Sequence, residues 1–250
     1  SAASIRVGPD SASVTQHAVT ESVIAYGDTQ FNVVGADALF NVGDIGVLWD
    51  SAVRPADSQA VNYEVVKIKS ISTNTITVDG FIHSYKGVGA IKFLHTPNQI
   101  KDVTIEDIHL SPPSTNDQAG VLVYFVDKVR IRRVSGSGFT GNCVYSLFCY
   151  DVQIEDVQPV DPYATGSGQG YGVGLFGTTK FLLKNIVGRS CRHVVDIDSA
   201  YDGEIDSVED LDDQSAAVAF AHNGFAGNIK IRNVRVRTAQ YAIAASAQGY

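Results

Sequence analysis

Six short segments in the last 150 residues share one order of apolar and polar positions, apolar-x-apolar-x-x-apolar. They begin 22 to 29 residues apart, at Val103, Val129, Val152, Phe181, Gly203 and Ile229. The first and third positions are apolar and the second and fourth are mostly polar, which is the period-two alternation of a β-strand with one buried face. Because self-similarity at this period is the signature of a solenoid, each turn of the chain is predicted to stack on the next.

The unequal spacing of the six segments indicates which kind of solenoid they form. Leucine-rich and helical repeats need a helix of fixed length, and no segment between the copies has the 3.6-residue periodicity of a helix. A parallel β-helix remains, in which successive turns stack about 4.8 Å apart. The sequence therefore predicts an all-β fold, a right-handed parallel β-helix of about six turns.

Charged residues at the fourth position of each segment support this alignment. Opposite charges on adjacent strands contribute roughly 0.2–1 kcal/mol per pair, whereas like charges are destabilising. The fourth position alternates in sign from the first turn to the last: Glu106, Arg132, Glu155, Lys184, Asp206 and Arg232. This order is expected if the six residues are neighbours in register. We interpret the column as solvated scaffold rather than as a binding face.

A second strand precedes each of the six segments. Its first residue is always aliphatic and β-branched: Val121, Val144, Val173, Val195, Val218 and Ile243. These residues are predicted to stack inside, which turns the residues one and three positions later outward. The outward face then carries aromatic residues on three turns and two carboxylates, Asp196 and Asp198, on the fourth.

The first hundred residues lack the repeat. Four segments in them alternate like strands: 40–49, 63–71, 75–78 and 87–94. The short connection 72–74 predicts a tight hairpin, and residues 1–30 alternate too weakly to be assigned. We therefore expect a small antiparallel β-element over residues 1–95, which leads into the β-helix of residues 96–250.

Composition narrows the class of protein further. The formal net charge is −8 and the longest basic cluster is 129–133, which argues against nucleic acid as a partner. No apolar run is long enough to span a membrane. The three cysteines lack zinc-binding spacing and are expected to be free thiols. The glycine-rich segment 166–172 has no Walker lysine, and we expect neither a cofactor nor a metal ion.

The two ends of the chain also carry information. The sequence begins at Ser1, contains no methionine and has no visible signal peptide, so we expect that it was trimmed from a longer chain. It ends just after the second strand of the sixth turn, and an open solenoid end exposes core and an unpaired strand edge. We expect that the chain continues or that another chain covers this end.

Three segments resemble one family of known fold. They are FNVGDIGVLWD at 40–50, YEVVKIKSISTNTITVDGFI at 63–82 and TPNQIKDVTIEDIHL at 96–110. A GD-containing strand, a hairpin and a V-T-I first turn in this order resemble the start of the parallel β-helix in bacteriophage tailspikes and related pectate-lyase-like proteins. The resemblance implies a location in the virion tail and a homotrimer. It also implies that the partner is a bacterial surface polysaccharide: a capsule, an O-antigen or a teichoic acid.

Asp196 and Asp198 are the candidate catalytic pair. Positions i and i+2 of a strand lie about 6.5–7 Å apart on one face, so the two carboxylates are expected to point outward side by side. This spacing suits acid–base hydrolysis of a glycosidic bond, with retaining and inverting geometries both open. It also suits a Ca²⁺ site of the kind that lyases use, and the alternative without function is a solvated pair. His193, at the start of the same strand, is a candidate proton shuttle.

Aromatic residues on the preceding turns complete the expected groove. Tyr124, Tyr145 and Phe176 face outward, and flat rings on a rigid sheet are surfaces on which sugar rings stack. Burial under loops or in a subunit interface is the alternative. The loops expected to wall one end of the groove are 109–120, 135–142 and 158–171. The remaining candidates for substrate binding are Arg192, His222 and Asn223.

These features leave three functions open. The first is a tailspike-like module that binds and cleaves a bacterial surface polysaccharide. The second is a non-catalytic β-helical adhesion or shaft segment of a tail fibre, in which the same face binds sugar or a neighbouring subunit. A lyase or epimerase is disfavoured, because only Arg192 and Arg189 offer a cationic group near Asp196.

Overall fold

Two parallel sheets, built turn upon turn, form a β-solenoid, and an antiparallel sheet from the first hundred residues packs against them. The computed structural model describes residues 3–50, 62–84, 86–87, 89–111, 119–166, 168–212, 215–220 and 224–245. This architecture confirms the predicted all-β parallel β-helix with a small antiparallel element before it.

Strands dominate the described part of the chain, and the single α-helix there is short. In chain order these elements are β1 (Ala3–Val7), β2 (Thr15–Ala18), β3 (Gln30–Asn32), α1 (Ala36–Leu39), β4 (Ile45–Asp50), β5 (Asn62–Ser72), β6 (Thr75–Val78), β7 (Ile91–His95), β8 (Ile100–Leu110), β9 (Ala119–Tyr124), β10 (Val126–Ser137), β11 (Asn142–Leu147), β12 (Tyr150–Val160), β13 (Tyr171–Phe176), β14 (Thr179–Gly188), β15 (His193–Asp198), β16 (Ala200–Asp210), β17 (Ala216–Phe220), β18 (Ala226–Val236) and β19 (Tyr241–Ala245).

The first parallel sheet contains the six repeated segments, in the order β18-β16-β14-β12-β10-β8. Each segment pairs with the next in the predicted register, so that Val129 is the direct neighbour of Val103. In the charged column, Arg132 pairs with Glu106 on one side and with Glu155 on the other. The Arg132 guanidinium lies 3.2 Å from the Glu106 carboxylate. The register predicted from the charge order is confirmed.

The second parallel sheet contains the strands that precede the segments, in the order β1-β9-β11-β13-β15-β17-β19. The predicted inner column is confirmed, since Val144 pairs with Val121 on one side and with Val173 on the other. The sequence does not predict strand β1, because five alternating residues give a weak pattern. It extends this sheet by pairing Ile5 with Val121.

The hydrophobic core lies between the two parallel sheets. Ile131 of the first sheet and Val144 of the second are both fully buried within it. At the start of β15 two adjacent residues, Val194 and Val195, both belong to the core, so strict alternation fails there. The three cysteines are buried free thiols, as expected.

The backbone of the first sheet has a positive φ at two positions of every turn. Each position forms a column of mostly polar residues, and asparagine and aspartate tolerate this conformation better than other residues with a side chain. The first column, with φ of 53–62°, is Asp102, Lys128, Asp151, Lys180, Asp202 and Asn228. The second, with φ of 52–63°, is Asp107, Arg133, Asp156, Asn185, Ser207 and Asn233. Neighbours in these columns pair across turns, as the 2.6 Å contact between Arg133 and Asp107 shows.

The antiparallel sheet has the strand order β2-β7-β4-β5-β6-β3 and includes the predicted hairpin of β5 and β6. The strand expected at 40–49 begins only at Ile45. Residues 41–44 form a turn before it, in which the Asp44 carboxylate accepts a hydrogen bond from the Asn41 backbone N–H at 3.0 Å. The same carboxylate contacts Nε2 of His95 at 3.1 Å. The expected division of the chain between residues 95 and 96 stays a prediction.

Apolar packing and ion pairs attach the antiparallel sheet to the solenoid. The shared apolar cluster is formed by Ile45, Val47, Val65, Phe125 and Tyr150. The ion pairs are Lys67 with Asp127 at 2.7 Å, Asp79 with Lys180 at 2.9 Å, and His83 with Asp202 at 3.0 Å. These contacts reach four successive strands of the first sheet, from β10 to β16.

His83 is the centre of a buried polar network at this junction. Its Nδ1 lies 2.9 Å from the carboxylate of Glu64, which also pairs with Lys86 at 3.4 Å, and the side chains of Glu64 and Lys86 are fully buried. Burial alone lowers the pKa of His83. Hydrogen bonds and charge from Asp202 and Glu64 outweigh that effect and raise the pKa to about 9.

The network predicts an alkaline loss of stability. A histidine with a raised pKa in the folded state contributes stability that is complete below its usual pKa of about 6.5. That contribution disappears as the pH rises through about 9. We expect His83→Gln to lower the melting temperature by several degrees at pH 6 and to change it little at pH 10. Thermal unfolding monitored by circular dichroism across this range tests the prediction. An equal loss at both pH values would contradict it.

The charged column predicts the effect of reversing one charge. Arg132→Glu places like charges against Glu106 and Glu155, and should lower the free energy of unfolding by about 1 kcal/mol at low salt. That corresponds to roughly 2–4 °C in melting temperature for a chain of this size. Arg132→Gln, which removes the attraction without adding repulsion, is the control and should lose less. High salt should shrink the difference, and melting of Arg132→Glu at the wild-type temperature in low salt would contradict the prediction.

Candidate functional site

A cavity of about 410 Å³ lies on the outer face of the second sheet. Strands β11, β13 and β15 supply its floor, and the segments before β11 and β13 supply its walls. The lining residues are Ala119, Thr140, Gly141, Asn142, Tyr145, Gly168, Gln169, Tyr171, Gly174, Leu175, Phe176, Asp196 and Asp198. Consecutive turns of the solenoid therefore form one concave site.

Two outward columns of the second sheet form the floor of the cavity. In one, Gly174 pairs with Tyr145 on one side and with Asp196 on the other. In the second, Phe176 pairs with Asp198. The in-register stacking of the strands thus places an aromatic ring on one turn and a carboxylate one or two turns later.

Asp196 and Asp198 point away from the core, because the alternate residues Val195 and Ile197 are fully buried inside it. Even so, the two aspartates are only 9% and 6% exposed. Neighbouring side chains and the cavity walls cover them. They are therefore not a solvated surface pair, which was the alternative without function.

The charges of these two carboxylates affect the pKa of two tyrosines in the cavity. Burial raises the pKa of the Tyr145 hydroxyl, and the charges of Asp198 and Asp196 raise it further. Burial, together with the charge of Asp196, raises the pKa of Tyr171 to about 12. Both phenols remain protonated at physiological pH, so each can donate a hydrogen bond inside the cavity.

Gly174 provides space for a polar side chain in the floor. A Cβ atom added at Gly174 would lie 2.9 Å from Nδ2 and 3.1 Å from Oδ1 of Asn142, so the amide group of Asn142 lies directly over the glycine. Asn142 is 8% exposed, and its Oδ1 atom has no hydrogen-bond partner among the described residues. A buried acceptor without a partner is destabilising, which suits a group that a ligand or water satisfies.

The walls of the cavity come from two of the three loops expected there. Backbone N–H groups of Gly170 and Tyr171 donate to the carbonyls of Thr140 and Gly141, at 2.8 and 2.7 Å. The wall before β13 is thereby fixed to the wall before β11. Most of the third loop, residues 112–118, lies outside the described residues.

Arg192 and His193 lie behind Tyr171 rather than in the lining. The Arg192 guanidinium lies 5.8 Å from the Tyr171 ring centroid and donates a 2.8 Å hydrogen bond to the carbonyl of Gly166. The His193 ring stacks on Tyr171 at 5.5 Å, and its Nδ1 lies 3.2 Å from the Ala216 carbonyl. The structure thus gives both residues contacts that orient Tyr171.

The three aromatic rings that were expected along the groove do not all lie in the cavity. Tyr145 and Phe176 line the cavity, whereas Tyr124 does not. Tyr124 packs against Phe148 at 6.1 Å, because Leu147 stands between it and Phe176 in the outward column. Phe176 also extends toward the antiparallel sheet, whose Tyr63 ring lies 5.5 Å away. Tyr63 in turn stacks on Trp49 at 5.9 Å.

Three other expectations concern His222 and Asn223, a metal ion and a membrane-spanning segment. His222 and Asn223 lie outside the described residues. Within the described ranges, no group of three or more His, Cys, Asp or Glu is placed to hold a metal ion. The described chain also contains no helix with the length and hydrophobicity to cross a bilayer.

Several lining residues cannot be identified from the sequence. Thr140, Asn142 and Gln169 lie in loops or at a strand start, where no alternation shows which way a side chain points. Tyr171 stands at the end of an expected loop, and its sequence position alone gives it no role.

Solved structures that match this chain include two phage tailspikes and the catalytic domain of a glucanase. The tailspike protein gp49 from Pseudomonas phage LKA1 is 12% identical with a TM-score of 0.59, over 92% of this chain and 46% of that one. The Gp54 tailspike of Acinetobacter baumannii bacteriophage AP22, solved in complex with A. baumannii capsular saccharide, is 12% identical with a TM-score of 0.42, over 95% of this chain and 57% of that one.

The third similar structure is the catalytic domain of a GH87 α-1,3-glucanase in complex with tetrasaccharides, which is 9% identical with a TM-score of 0.35, over 95% of this chain and 68% of that one. The chain spans about half the length of the two tailspikes. No family model and no curated protein sequence matches it. The first likeness, together with the two stacked parallel sheets, shows that the chain has a tailspike-like parallel β-helix fold.

Proposed function

We propose that this chain binds a bacterial surface polysaccharide in the cavity of the second sheet and cleaves a glycosidic bond there. The observation that carries the proposal is the position of Asp196 and Asp198. They are two nearly buried carboxylates on one strand face, in a cavity that also contains three aromatic rings.

The walls and floor of the cavity suit a carbohydrate. Its volume of about 410 Å³ lies in the range of small-molecule sites, which is about 300–1,000 Å³. The rings of Tyr145, Tyr171 and Phe176 offer apolar faces for a sugar ring. Polar atoms of Asn142 and Gln169, with the Tyr145 hydroxyl, line the cavity and can hydrogen-bond to the sugar hydroxyls.

The two carboxyl groups supply the chemistry of glycoside hydrolysis. One, in its protonated form, donates a proton to the glycosidic oxygen as the bond to the anomeric carbon breaks. The other carboxylate either takes a proton from an attacking water or attacks the anomeric carbon itself. Strand spacing of about 6.5–7 Å between positions i and i+2, together with side-chain rotation, permits both geometries.

The basic residues near the cavity bear on the choice between a hydrolase and a lyase or epimerase. Lyases and epimerases need a cationic group or metal ion to stabilise the enolate of a uronate, and the described lining residues include neither lysine nor arginine. Arg192 is engaged with Tyr171 and Gly166, and Arg189 pairs with Asp161 at 3.1 Å. Hydrolysis is therefore the better supported reaction.

The biological setting is part of the proposal. We place the chain in the tail of a virion, where binding of a surface polysaccharide attaches the particle to its host cell, and we propose that it acts as a homotrimer. The support is the tailspike-like fold. Sedimentation or light scattering of the purified chain tests the trimer, and a stable monomer at micromolar concentration counts against it.

Removing either carboxylate should separate cleavage from binding. Asp196→Asn and Asp198→Asn should each abolish the release of reducing ends from a panel of bacterial capsules and O-antigens, because the chemistry needs one proton donor and one ionised carboxylate. Both variants should still bind the polysaccharide. Asp206→Asn, which changes an aspartate outside the cavity lining, is the matched control and should keep wild-type activity.

Three outcomes of this experiment would change the proposal. Full activity of both cavity variants would place the chemistry elsewhere. Binding without any reducing-end release by the wild type would favour a non-catalytic adhesion segment. Cleavage that EDTA abolishes and that yields an unsaturated, ultraviolet-absorbing product would favour a lyase.

Substitution of Gly174, in the floor of the cavity, should weaken polysaccharide binding. Gly174→Ala places a methyl group against the Asn142 amide and pushes it into the cavity, so polysaccharide binding should weaken by roughly 10-fold or more. Gly227→Ala is the matched control, because its added methyl group meets only Tyr201 at an ordinary 3.7 Å. Titration calorimetry measures the affinities. Equal affinity of Gly174→Ala and wild type would contradict the assigned floor.

A further inference from the structure

A second cluster of reactive side chains lies outside the cavity lining, where strand β5 begins. It joins two residues of β5 to three residues of the segment that follows β6: Asn62 and Glu64 to His83, Ser84 and Lys86. The side chains of Glu64 and Lys86 are fully buried, and Asn62 is 7% exposed. A lysine ammonium is costly to bury even when it is paired, and the proposed function gives Lys86 no task.

The Lys86 amine lies against the side-chain amide of Asn62. Nζ donates a hydrogen bond to Oδ1 of Asn62 at 2.8 Å. The amide carbon Cγ is bonded to Oδ1, so it lies no more than about 4 Å from Nζ. The Ser84 hydroxyl accepts from Nζ and itself lies 2.9 Å from the same Oδ1, so two donors polarise the Asn62 carbonyl. An amine held this close to an amide carbon in a buried site has a high effective concentration.

Glu64 is placed to move the protons that a reaction between these two groups requires. Its Oε2 lies 3.4 Å from Nζ of Lys86, and its Oε1 accepts a 2.7 Å hydrogen bond from the His83 backbone N–H. Burial raises the pKa of Glu64, but the charge of Lys86 and hydrogen bonds from His83 outweigh it and hold the pKa below its usual value. Burial lowers the pKa of Lys86 despite the opposing charge of Glu64. An ionised carboxylate therefore contacts an ammonium that releases its proton more readily than usual.

We propose that Lys86 and Asn62 form an intramolecular isopeptide bond, with Glu64 as the proton carrier. Glu64 takes a proton from the Lys86 ammonium, and the neutral amine attacks Cγ of Asn62. The Nζ–Cγ bond forms, a proton passes from Nζ to Nδ2, and the Cγ–Nδ2 bond breaks. The nitrogen leaves with both transferred protons as an ammonium ion, and no oxidant or other reactant is consumed. The product replaces a buried charge with a neutral amide.

The bond would fix the antiparallel sheet covalently. It closes residues 62–86 into a ring that contains β5 and β6. The backbone of Lys86 pairs with Ile24, and His83 within the ring contacts Asp202 of the solenoid at 3.0 Å. A cross-link of this kind restricts the unfolded chain and so stabilises the fold. The proposal concerns a modification of this chain and does not rest on the proposed function of the cavity.

Mass spectrometry of the purified wild-type chain tests the bond directly. The intact mass should be below the sequence mass by one ammonia, about 17 Da. After proteolysis, the peptides that contain Asn62 and Lys86 should appear as one cross-linked ion. This ion is required because an asparagine that cyclises onto its own backbone loses the same mass. Glu64→Gln should slow formation of the cross-link by roughly 100-fold or more. Lys67→Arg, which changes a β5 lysine outside the cluster, is the matched control and should keep the cross-link.

The wild-type measurement alone can overturn the proposal, so the test does not depend on whether Glu64→Gln folds. A wild-type chain of full sequence mass, with Asn62 and Lys86 in separate peptides, excludes the bond. A loss of one ammonia without the cross-linked ion excludes it as well. A cross-link that forms as fast in Glu64→Gln as in the wild type would contradict the role of Glu64.

Discussion

In-register stacking of equivalent strand positions is the constraint on which the rest of this structure depends. Because side chains alternate with a period of two, a shift of one residue would turn the whole inner column of valines outward. The same register that buries Val144 and Val195 aligns opposite charges outside and brings Tyr145, Gly174 and Asp196 into one column. Core, surface and candidate site are therefore consequences of a single alignment.

That alignment explains how much the sequence could predict. The two sheets, their register and the outward direction of Asp196 and Asp198 follow from alternation alone, and the structure contains them. The near burial of these aspartates does not follow, since it depends on Tyr171 and on loop residues such as Gln169. Loops have no period, so their side-chain directions cannot be inferred from spacing. The sequence does not predict strand β1 for a related reason, because five residues are too few to establish a pattern.

A local break in the alternation decides which neighbours of Asp196 take part in the site. Val194 and Val195 both enter the core, so the chain bends just before them, and His193 stacks behind Tyr171. His193 and Arg192 then contact one wall of the cavity through Tyr171. The positive-φ columns are a similar case, because residues that look like ordinary surface polar groups in the sequence occupy backbone positions with an unusual conformation.

The attachment of the antiparallel sheet changes how the solenoid can come apart. In a stack whose turns contact only their neighbours, the ends can fray one turn at a time. Here Asp127, Tyr150, Lys180 and Asp202, on four successive strands, are held by the antiparallel sheet and by the segment 79–83 that follows its strand β6. Loss of any of these inner turns requires release of that sheet, which couples them into one cooperative unit. The cavity floor, on the strands between these turns, is thereby protected from piecemeal opening.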